Sequence, residues 1–291
     1  MSENFQSEPP PWIPLQNLRG IADFEGYSPL EMEFILWDSF GTDSPIRLLP
    51  LSERDYQKIP LLNQIRYLAE RIEQAGEIKL TARGFLPTRL VADIYRQGYL
   101  KDEHIESGIS HLNKETDCMT IQLTRILLLL SGIAKTRNKR LSLTRAGRKM
   151  LHDLPLLLDR VLQTFSRKFN WGYFDRYDAD DIGSLGVGFS LILLSKYGQD
   201  RRPGRFYADK YFRAYPRLLA PIGPTPFQTP ESYAASCYTL RTFERFLAYF
   251  GLVRIKRGAR WSSDIHVSTT PLFDQLISCA PPADWSAPGL S

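Results

Sequence analysis

Residues 132–151, GIAKTRNKRLSLTRAGRKML, restrict the possible folds more than any other part of the sequence. They follow a strongly apolar run, and Gly132 is of the residue type that most often ends a helix. Residues 133–135 and 141–143 have the alternation of half-buried strands on either side of a polar tip. Thr144 can then cap another helix. The segment predicts a helix that leads into a β-hairpin, followed by a helix.

The residues before this hairpin predict three helices and one short strand. Apolar residues recur at helical spacing over 61–72 and again over 86–95, and the intervening residues 77–80 read as a strand. A polar connection over 101–117 precedes the apolar helix 121–130. The predicted order is therefore helix, strand, helix, helix and hairpin.

A similar order recurs in the second half of the chain. Residues 186–197, 206–219 and 232–250 predict helices, and the last of them is followed by a hairpin with strands over 251–256 and 265–269. The tip covers residues 257–263, and Thr270-Pro271 is expected to start a last helix. No early strand is evident in this half.

These patterns predict a mainly α, α+β protein with two similar domains. The expected divisions are an acidic N-terminal arm with a short helix (1–60), a first domain (61–153), a connecting helix with an aromatic turn (154–185), a second domain (186–278) and a disordered tail (279–291). Ser28, Pro29 and Glu31 predict a capping box at the start of the helix in the arm.

The hairpin segment resembles the wing of a winged-helix domain. The resemblance covers about residues 60–153 and 186–278, and it implies two winged-helix domains in tandem. Winged helices bind DNA, RNA or other proteins, so the resemblance implies a binding module and leaves its ligand open.

Three further runs resemble a family of uncharacterised bacterial proteins. They are IKLT at 78–81 with Gly84 and Leu86-Pro87, FYADKY at 206–211 with residues 214–216, and CYTLRTFERF at 237–246. This resemblance implies a bacterial cytoplasmic protein and carries no activity.

The distribution of charge suggests a polyanionic partner. Residues 1–60 hold ten acidic and four basic residues, a net charge of −6, so in a chain of net charge +5 the remainder carries +11. A basic body attracts polyanions, and the acidic arm is able to shield it or to bind elsewhere.

The remaining global features predict a cytoplasmic protein with no membrane segment. The N-terminus has no pattern typical of a signal peptide, and the longest apolar runs are too short to span a bilayer. The three widely spaced cysteines indicate reduced thiols.

The first hairpin and its flank are the first candidate for a nucleic-acid contact. The segment contains no Asp or Glu, so we expect its cations to be unpaired with acids and able to contact phosphates. These cations are Lys135, Arg137, Lys139, Arg140, Arg145, Arg148 and Lys149. The alternative is a solvated basic loop. The preceding helix is too apolar to read bases, and we predict that it is structural core.

The second half offers another candidate surface. Thr239, Arg241, Thr242 and Arg245 are expected to share an exposed helix face. On the following hairpin, Arg254, Lys256, Arg257 and Arg260 would extend this surface. The alternative is that the arginines pair with acids such as Glu244. Trp261 at the tip is expected to pack on the hairpin.

The sequence predicts no catalytic, metal or cofactor site. Clustered carboxylates at Asp175, Asp178, Asp180 and Asp181 suit Mg²⁺-dependent nuclease chemistry, but acids are also favoured before a helix. The four histidines have no metal-ligand spacing. We therefore expect a DNA-binding transcriptional regulator or an accessory factor of a mobile element or defence system. The alternatives are a protein–protein adaptor or homo-oligomeric scaffold and, third, a nuclease.

Overall fold

A computed structural model describes residues 13–175, 177–179, 181–224, 228–258 and 265–284. The helices are α1 (Pro29–Trp37), α2 (Glu53–Tyr56), α3 (Pro60–Ala75), α4 (Thr88–Arg96), α5 (Glu103–Glu106), α6 (Met119–Leu130), α7 (Arg145–Leu151), α8 (Leu154–Arg167), α9 (Val187–Tyr197), α10 (Gly204–Ala214), α11 (Pro230–Tyr238) and α12 (Pro271–Leu276). The strands are β1 (Ile46–Leu48), β2 (Ile78–Lys79), β3 (Ala134–Arg137), β4 (Arg140–Leu143), β5 (Arg202–Pro203), β6 (Val253–Arg257), β7 (Ile265–Thr269) and β8 (Ile277–Cys279). The mainly α, α+β class is confirmed.

Short 3₁₀ turns and one π-helical stretch complete the regular structure. The 3₁₀ turns are Leu15–Leu18, Ala22–Phe24, Glu115–Asp117, Trp171–Phe174 and Pro216–Leu219. The π-helical stretch, Thr239–Leu247, directly follows α11.

The chain forms two compact units that are discontinuous in sequence. The inserted unit comprises Pro50–Asp180 and Arg245–Leu252, and the flanking unit comprises Met1–Leu49, Asp181–Glu244 and Val253–Ser291. The sequence predicts contiguous domains, whereas the flanking unit combines both ends of the chain. The reason is visible in its smallest sheet, where β1 pairs antiparallel with β8.

In the inserted unit, α3 and α6 form the centre of the core. Proline at the first position starts α3, and Gly76, with φ of 71°, follows its last residue. The Gln64 side-chain amide donates hydrogen bonds to Thr124 Oγ1 at 2.8 Å and to the Thr120 carbonyl at 3.1 Å, which joins the two helices. Leu127 and other apolar residues of α6 are fully buried, so the prediction that α6 is structural core is confirmed.

The sheet of the inserted unit has the strand order β2-β4-β3 and is antiparallel. The hairpin β3–β4 and the short strand before α4 are thus confirmed. Ile78 lies opposite Leu141 in the register, and Leu141 is fully buried. Thr144 caps α7 by accepting a hydrogen bond from the Gly147 N–H at 2.8 Å, as predicted.

The flanking unit repeats this topology with α9, α10, α11 and a sheet of order β5-β7-β6. The early strand that is not evident in the sequence is present as β5, in which Arg202 lies opposite Val267. Two residues, one of them a proline, show no alternation that a sequence pattern can detect. The last helix begins at Pro271 after the cap Thr270, as predicted.

The described residues nearest the two ends of the chain pack within the flanking unit. Ser28 and Glu31 form the predicted capping box of α1. Residues 279–284, predicted as the start of a disordered tail, are instead ordered: Cys279 lies in β8, and the Ala280 N–H donates to the Pro45 carbonyl at 2.9 Å. The rest of the predicted tail, 285–291, lies outside the described residues, as does 1–12 of the arm.

Candidate nucleic-acid interface

The hairpin β3–β4 turns through two residues with left-handed backbone. Arg137 and Arg140 are the last paired residues, and Asn138 and Lys139 between them have φ of 50° and 56°. Positive φ at both central positions is typical of the type I′ turn, whose twist matches that of the paired strands. The Lys139 carbonyl accepts a hydrogen bond of 2.8 Å from the Leu80 N–H. The tip is therefore held from the side by the chain that follows β2.

All seven candidate cations of this segment are exposed. They are Lys135, Arg137, Lys139, Arg140, Arg145, Arg148 and Lys149. The structure corrects one expectation, because Arg140 forms an ion pair with Glu77. Glu77 precedes the neighbouring strand β2, outside the acid-free segment that the sequence pattern singled out. The other six cations form no ion pair with any described residue.

The base of the hairpin fixes its position relative to α7. Thr144 Oγ1 donates a hydrogen bond to the Gly132 carbonyl at 2.7 Å, and the Thr144 N–H donates to the Ile133 carbonyl at 3.0 Å. A Cβ atom on Gly147 would lie 2.0 Å from that same Ile133 oxygen. The close approach of α7 to Ile133, directly before β3, thus requires a glycine, and it places the α7 cations next to the hairpin.

The polar side chains of α6 form hydrogen bonds with other side chains of the protein. Thr124 accepts from Gln64, and Arg125 Nε donates to Glu115 Oε1 at 2.6 Å, where Glu115 is fully buried. Glu115 also accepts a 2.6 Å hydrogen bond from the Leu86 N–H. A helix that reads bases needs free polar side chains in the groove. Those of α6 are largely engaged, so the exposed charge of this unit lies on the hairpin and α7.

The hairpin β6–β7 of the flanking unit carries a smaller basic surface. Arg254 and Lys256 are exposed on β6. Arg257 is exposed as well, but it forms a 2.7 Å ion pair with Glu244. Arg260 and Trp261, predicted to lie at the tip, fall outside the described residues.

The predicted exposed face at residues 239–245 does not form. Arg241 is 1% exposed and Thr242 is fully buried, and Arg241 Nη1 donates to the Ile182 carbonyl at 3.2 Å. Thr239 and Arg245 are half-buried, and Arg245 forms an ion pair of 3.8 Å with Asp175. The expectation that Arg241 and Thr242 are exposed is wrong because it assumed 3.6 residues per turn. The π-helical bonding of Thr239–Leu247 changes which residues share a face.

The acidic cluster is only partly described. Asp175 has a nearly buried side chain paired with Arg245, whereas Asp178 and Asp181 are both exposed. Asp180 lies outside the described residues. Within the ranges that the structure describes, no three His, Cys, Asp or Glu residues are grouped so as to hold a metal ion.

Further cations lie in β2 and in the segments before and after it, and the sequence pattern does not mark them. Lys79 lies opposite Arg140 in the register and is exposed, as is Arg83 in the following loop. Arg71, Arg89 and Arg96 line a groove between α3 and α4. These residues are scattered between positions 71 and 96, so no local run of charge marks them.

In comparisons with known proteins, part of the inserted unit matches the model of an uncharacterised family. Residues 57–155, from the end of α2 to the beginning of α8, match the model of an uncharacterised family described as Y4jL N-terminal domain. Neither a curated protein nor a solved structure matches the chain. No described helix has the length and apolar character needed to cross a membrane.

Proposed function

We propose that the chain is a tandem winged-helix protein that binds DNA, and that the hairpin β3–β4 with α7 makes the main contact. The observation that carries this proposal is the set of six exposed cations that form no ion pair with described residues. Cations left without acidic partners on a projecting hairpin suit a phosphate backbone, because each neutralised phosphate releases counterions.

The arrangement of elements supports the winged-helix part of the proposal. Apart from the one-turn helix α5 of the inserted unit, each unit contains the order helix, strand, helix, helix and hairpin. The early strand pairs with the returning strand of the hairpin in both units. In DNA-binding relatives of this topology the last helix before the hairpin enters the major groove. Helix α6 is poorly suited to that role, because its polar side chains form hydrogen bonds with Gln64 and Glu115.

Contact through the hairpin favours binding to the sugar–phosphate backbone over base reading. Backbone contacts fix the position of a protein on the duplex and carry little sequence information. Such binding fits either a regulator that obtains specificity from a partner or an accessory factor of a mobile element or defence system. The hairpin of the flanking unit adds Arg254 and Lys256 as further phosphate contacts.

Fluorescence anisotropy with a labelled 20-base-pair duplex tests the proposal. The hairpin variant replaces Lys135, Arg137 and Lys139 by Gln. The control variant replaces Arg54, Arg160 and Lys168, which are also exposed and form no ion pair with described residues. We expect the hairpin variant to bind at least about tenfold more weakly than the control variant, since charge-assisted contacts contribute about 1.5–3 kcal/mol each. Equal affinities of the two variants would refute the proposal.

Exposed leucines on α6 and α8 favour a protein partner as the second candidate function. Leu130 at the end of α6 is 40% exposed, and Leu156 at the start of α8 is 42% exposed. Ile126 and Leu129, which precede Leu130 on α6, are half-buried. An adaptor that uses these leucines would form a stable complex or oligomer that is indifferent to DNA. Sedimentation of the wild type and of Leu130→Gln/Leu156→Gln distinguishes the two functions.

A further inference from the structure

A groove of about 630 Å³ lies between the second half of α3, the strand β2 and the helix α4. It is separate from the surface of the hairpin: the lining includes none of the residues of β3, β4 or α7. Among the lining residues, three are arginines (Arg71, Arg89 and Arg96) and one is an acid (Asp93), so the groove carries an excess of positive charge.

Asp93 positions two of these arginines. Its carboxylate lies 3.5 Å from Arg71 Nε and 3.3 Å from Arg96 Nη1. The Tyr67 hydroxyl donates a third contact to Asp93 Oδ2 at 2.7 Å. Both carboxylate oxygens therefore have protein partners, while each guanidinium keeps N–H groups beyond the one that faces Asp93. Arg71 uses one more of these on Gln74 Oε1 at 3.1 Å.

Arg89 is the third cation, and it differs from the other two. It is exposed at the second position of α4 and forms no ion pair with any residue that the structure describes. Helix α4 also begins without a side-chain cap, because Pro87 occupies the capping position. The N–H groups of Thr88 and Arg89 thus remain available at the positive end of the helix dipole.

We propose that this groove is a phosphate-binding site. Two positioned guanidinium groups, a third that is unpaired, and the open N–H groups of a helix start match the charge and the several acceptor oxygens of a phosphate group. A single carboxylate would use fewer of these donors and leave positive charge uncompensated. The phosphate belongs either to a nucleic-acid backbone or to a small phosphorylated molecule, and both present the same chemistry to the groove.

The site does not depend on the hairpin, so it can be tested separately from the DNA-binding proposal. Isothermal titration calorimetry of the full chain with inorganic pyrophosphate measures the groove directly. The test variant is Arg89→Gln, and the control is Arg83→Gln, an exposed arginine six residues earlier that does not line the groove. Urea unfolding of both variants checks that the fold is unchanged, as expected for exposed side chains.

We expect pyrophosphate to bind the wild type and Arg83→Gln with equal affinity, and Arg89→Gln at least about tenfold more weakly. The triple hairpin variant Lys135→Gln/Arg137→Gln/Lys139→Gln should retain pyrophosphate binding. Absence of binding to the wild type would overturn the proposal, as would equal losses in Arg83→Gln and Arg89→Gln.

A competition experiment in the triple hairpin variant identifies the source of the phosphate. If a 12-nucleotide single strand without terminal phosphates displaces pyrophosphate, the groove takes a backbone phosphate. If the strand has no effect while pyrophosphate binds, the groove takes a small phosphorylated molecule. Both results support the site, and failure of DNA to bind the hairpin would leave the pyrophosphate result unaffected.

Discussion

The N–H of Leu80 donates a 2.8 Å hydrogen bond to the carbonyl of Lys139, and Lys139 has left-handed backbone at the tip of the hairpin. Left-handed conformation costs a residue with a Cβ atom roughly 1–2 kcal/mol, and glycine avoids this cost. A lysine therefore occupies a position where glycine would be accommodated more easily. The charge of Lys139 is the property that glycine would not supply.

We therefore predict that Lys139→Gly lowers the affinity for DNA without lowering the stability of the protein. The free energy of unfolding in urea should stay unchanged or rise by up to about 1 kcal/mol, because relief of the strain offsets the entropy of glycine. The affinity for duplex DNA, measured by anisotropy, should fall. Asn138→Gly is the matched control, since it also replaces a left-handed residue and keeps every charge. A loss of affinity in Asn138→Gly as large as in Lys139→Gly would contradict a role for the charge.

Gly147→Ala should destabilise the protein although alanine is the better helix former. The new Cβ would lie 2.0 Å from the Ile133 carbonyl oxygen, so the backbone of α7 or of Ile133 must shift. We expect a loss of about 1–3 kcal/mol in urea unfolding, as for other overpacked positions. Ala146→Gly at the exposed neighbouring position should cost about 1 kcal/mol from helix propensity alone. A stabilised Gly147→Ala variant would contradict the close approach of Gly147 to the Ile133 carbonyl.

Arg241→Ala should affect folding instead of DNA contact. The side chain is 1% exposed and its guanidinium donates to the Ile182 carbonyl, so its removal leaves a cavity and an unsatisfied acceptor. The expected loss is about 2–4 kcal/mol in urea unfolding. Arg254→Ala, at an exposed position of β6, should cost less than about 0.5 kcal/mol. A stable Arg241→Ala variant with reduced DNA affinity would restore the surface role that the sequence pattern suggested.

The contacts of the Glu25 carboxyl group predict that the protein loses stability in acid. Burial acts to raise the pKa of this carboxyl, but hydrogen bonds from Lys196, Lys210 and Tyr197 outweigh it and lower the pKa from 4.5 to about 2. A group whose pKa is lowered by folding stabilises the folded state above its unfolded pKa. The stabilisation from Glu25 should therefore be complete above pH 4.5 and disappear as the pH falls towards 2.

Urea unfolding of the wild type and of Glu25→Gln at pH 3 and pH 6 measures this contribution. The variant should be less stable than the wild type at pH 6, and the difference should shrink at pH 3. A difference that is equal at both pH values would show that the Glu25 carboxylate does not contribute as an ion.

The sequence predicts local structure well wherever a short-range pattern determines it. Ser28 with Glu31, Gly132 and Thr144 each satisfy a helix end through neighbours within four residues, and all three have the predicted role. The hairpin β3–β4 follows from alternation and a polar tip. The cations of this hairpin are visible in the sequence for the same reason, since they occupy one continuous run.

Features that depend on distant residues could not be predicted in this way. The pairing of β1 with β8 joins segments more than 200 positions apart, and β5 consists of only two residues. The burial of Arg241 depends on π-helical bonding, which a period of 3.6 residues misrepresents. Similarly, Asp93 brings Arg71 and Arg96 together from two helices, so the groove that they line is visible only in the folded structure.

The most direct test of the central claim is the dependence of DNA affinity on salt concentration. Binding to phosphates predicts a linear fall of log K with log salt, with a slope of about −0.9 for each phosphate that the protein neutralises. The variant Lys135→Gln/Arg137→Gln/Lys139→Gln should reduce this slope by about 0.9 for each phosphate that it no longer neutralises, while Arg54→Gln/Arg160→Gln/Lys168→Gln should leave the slope unchanged. A wild-type affinity that does not depend on salt, or equal slopes in the two variants, would contradict binding through the hairpin.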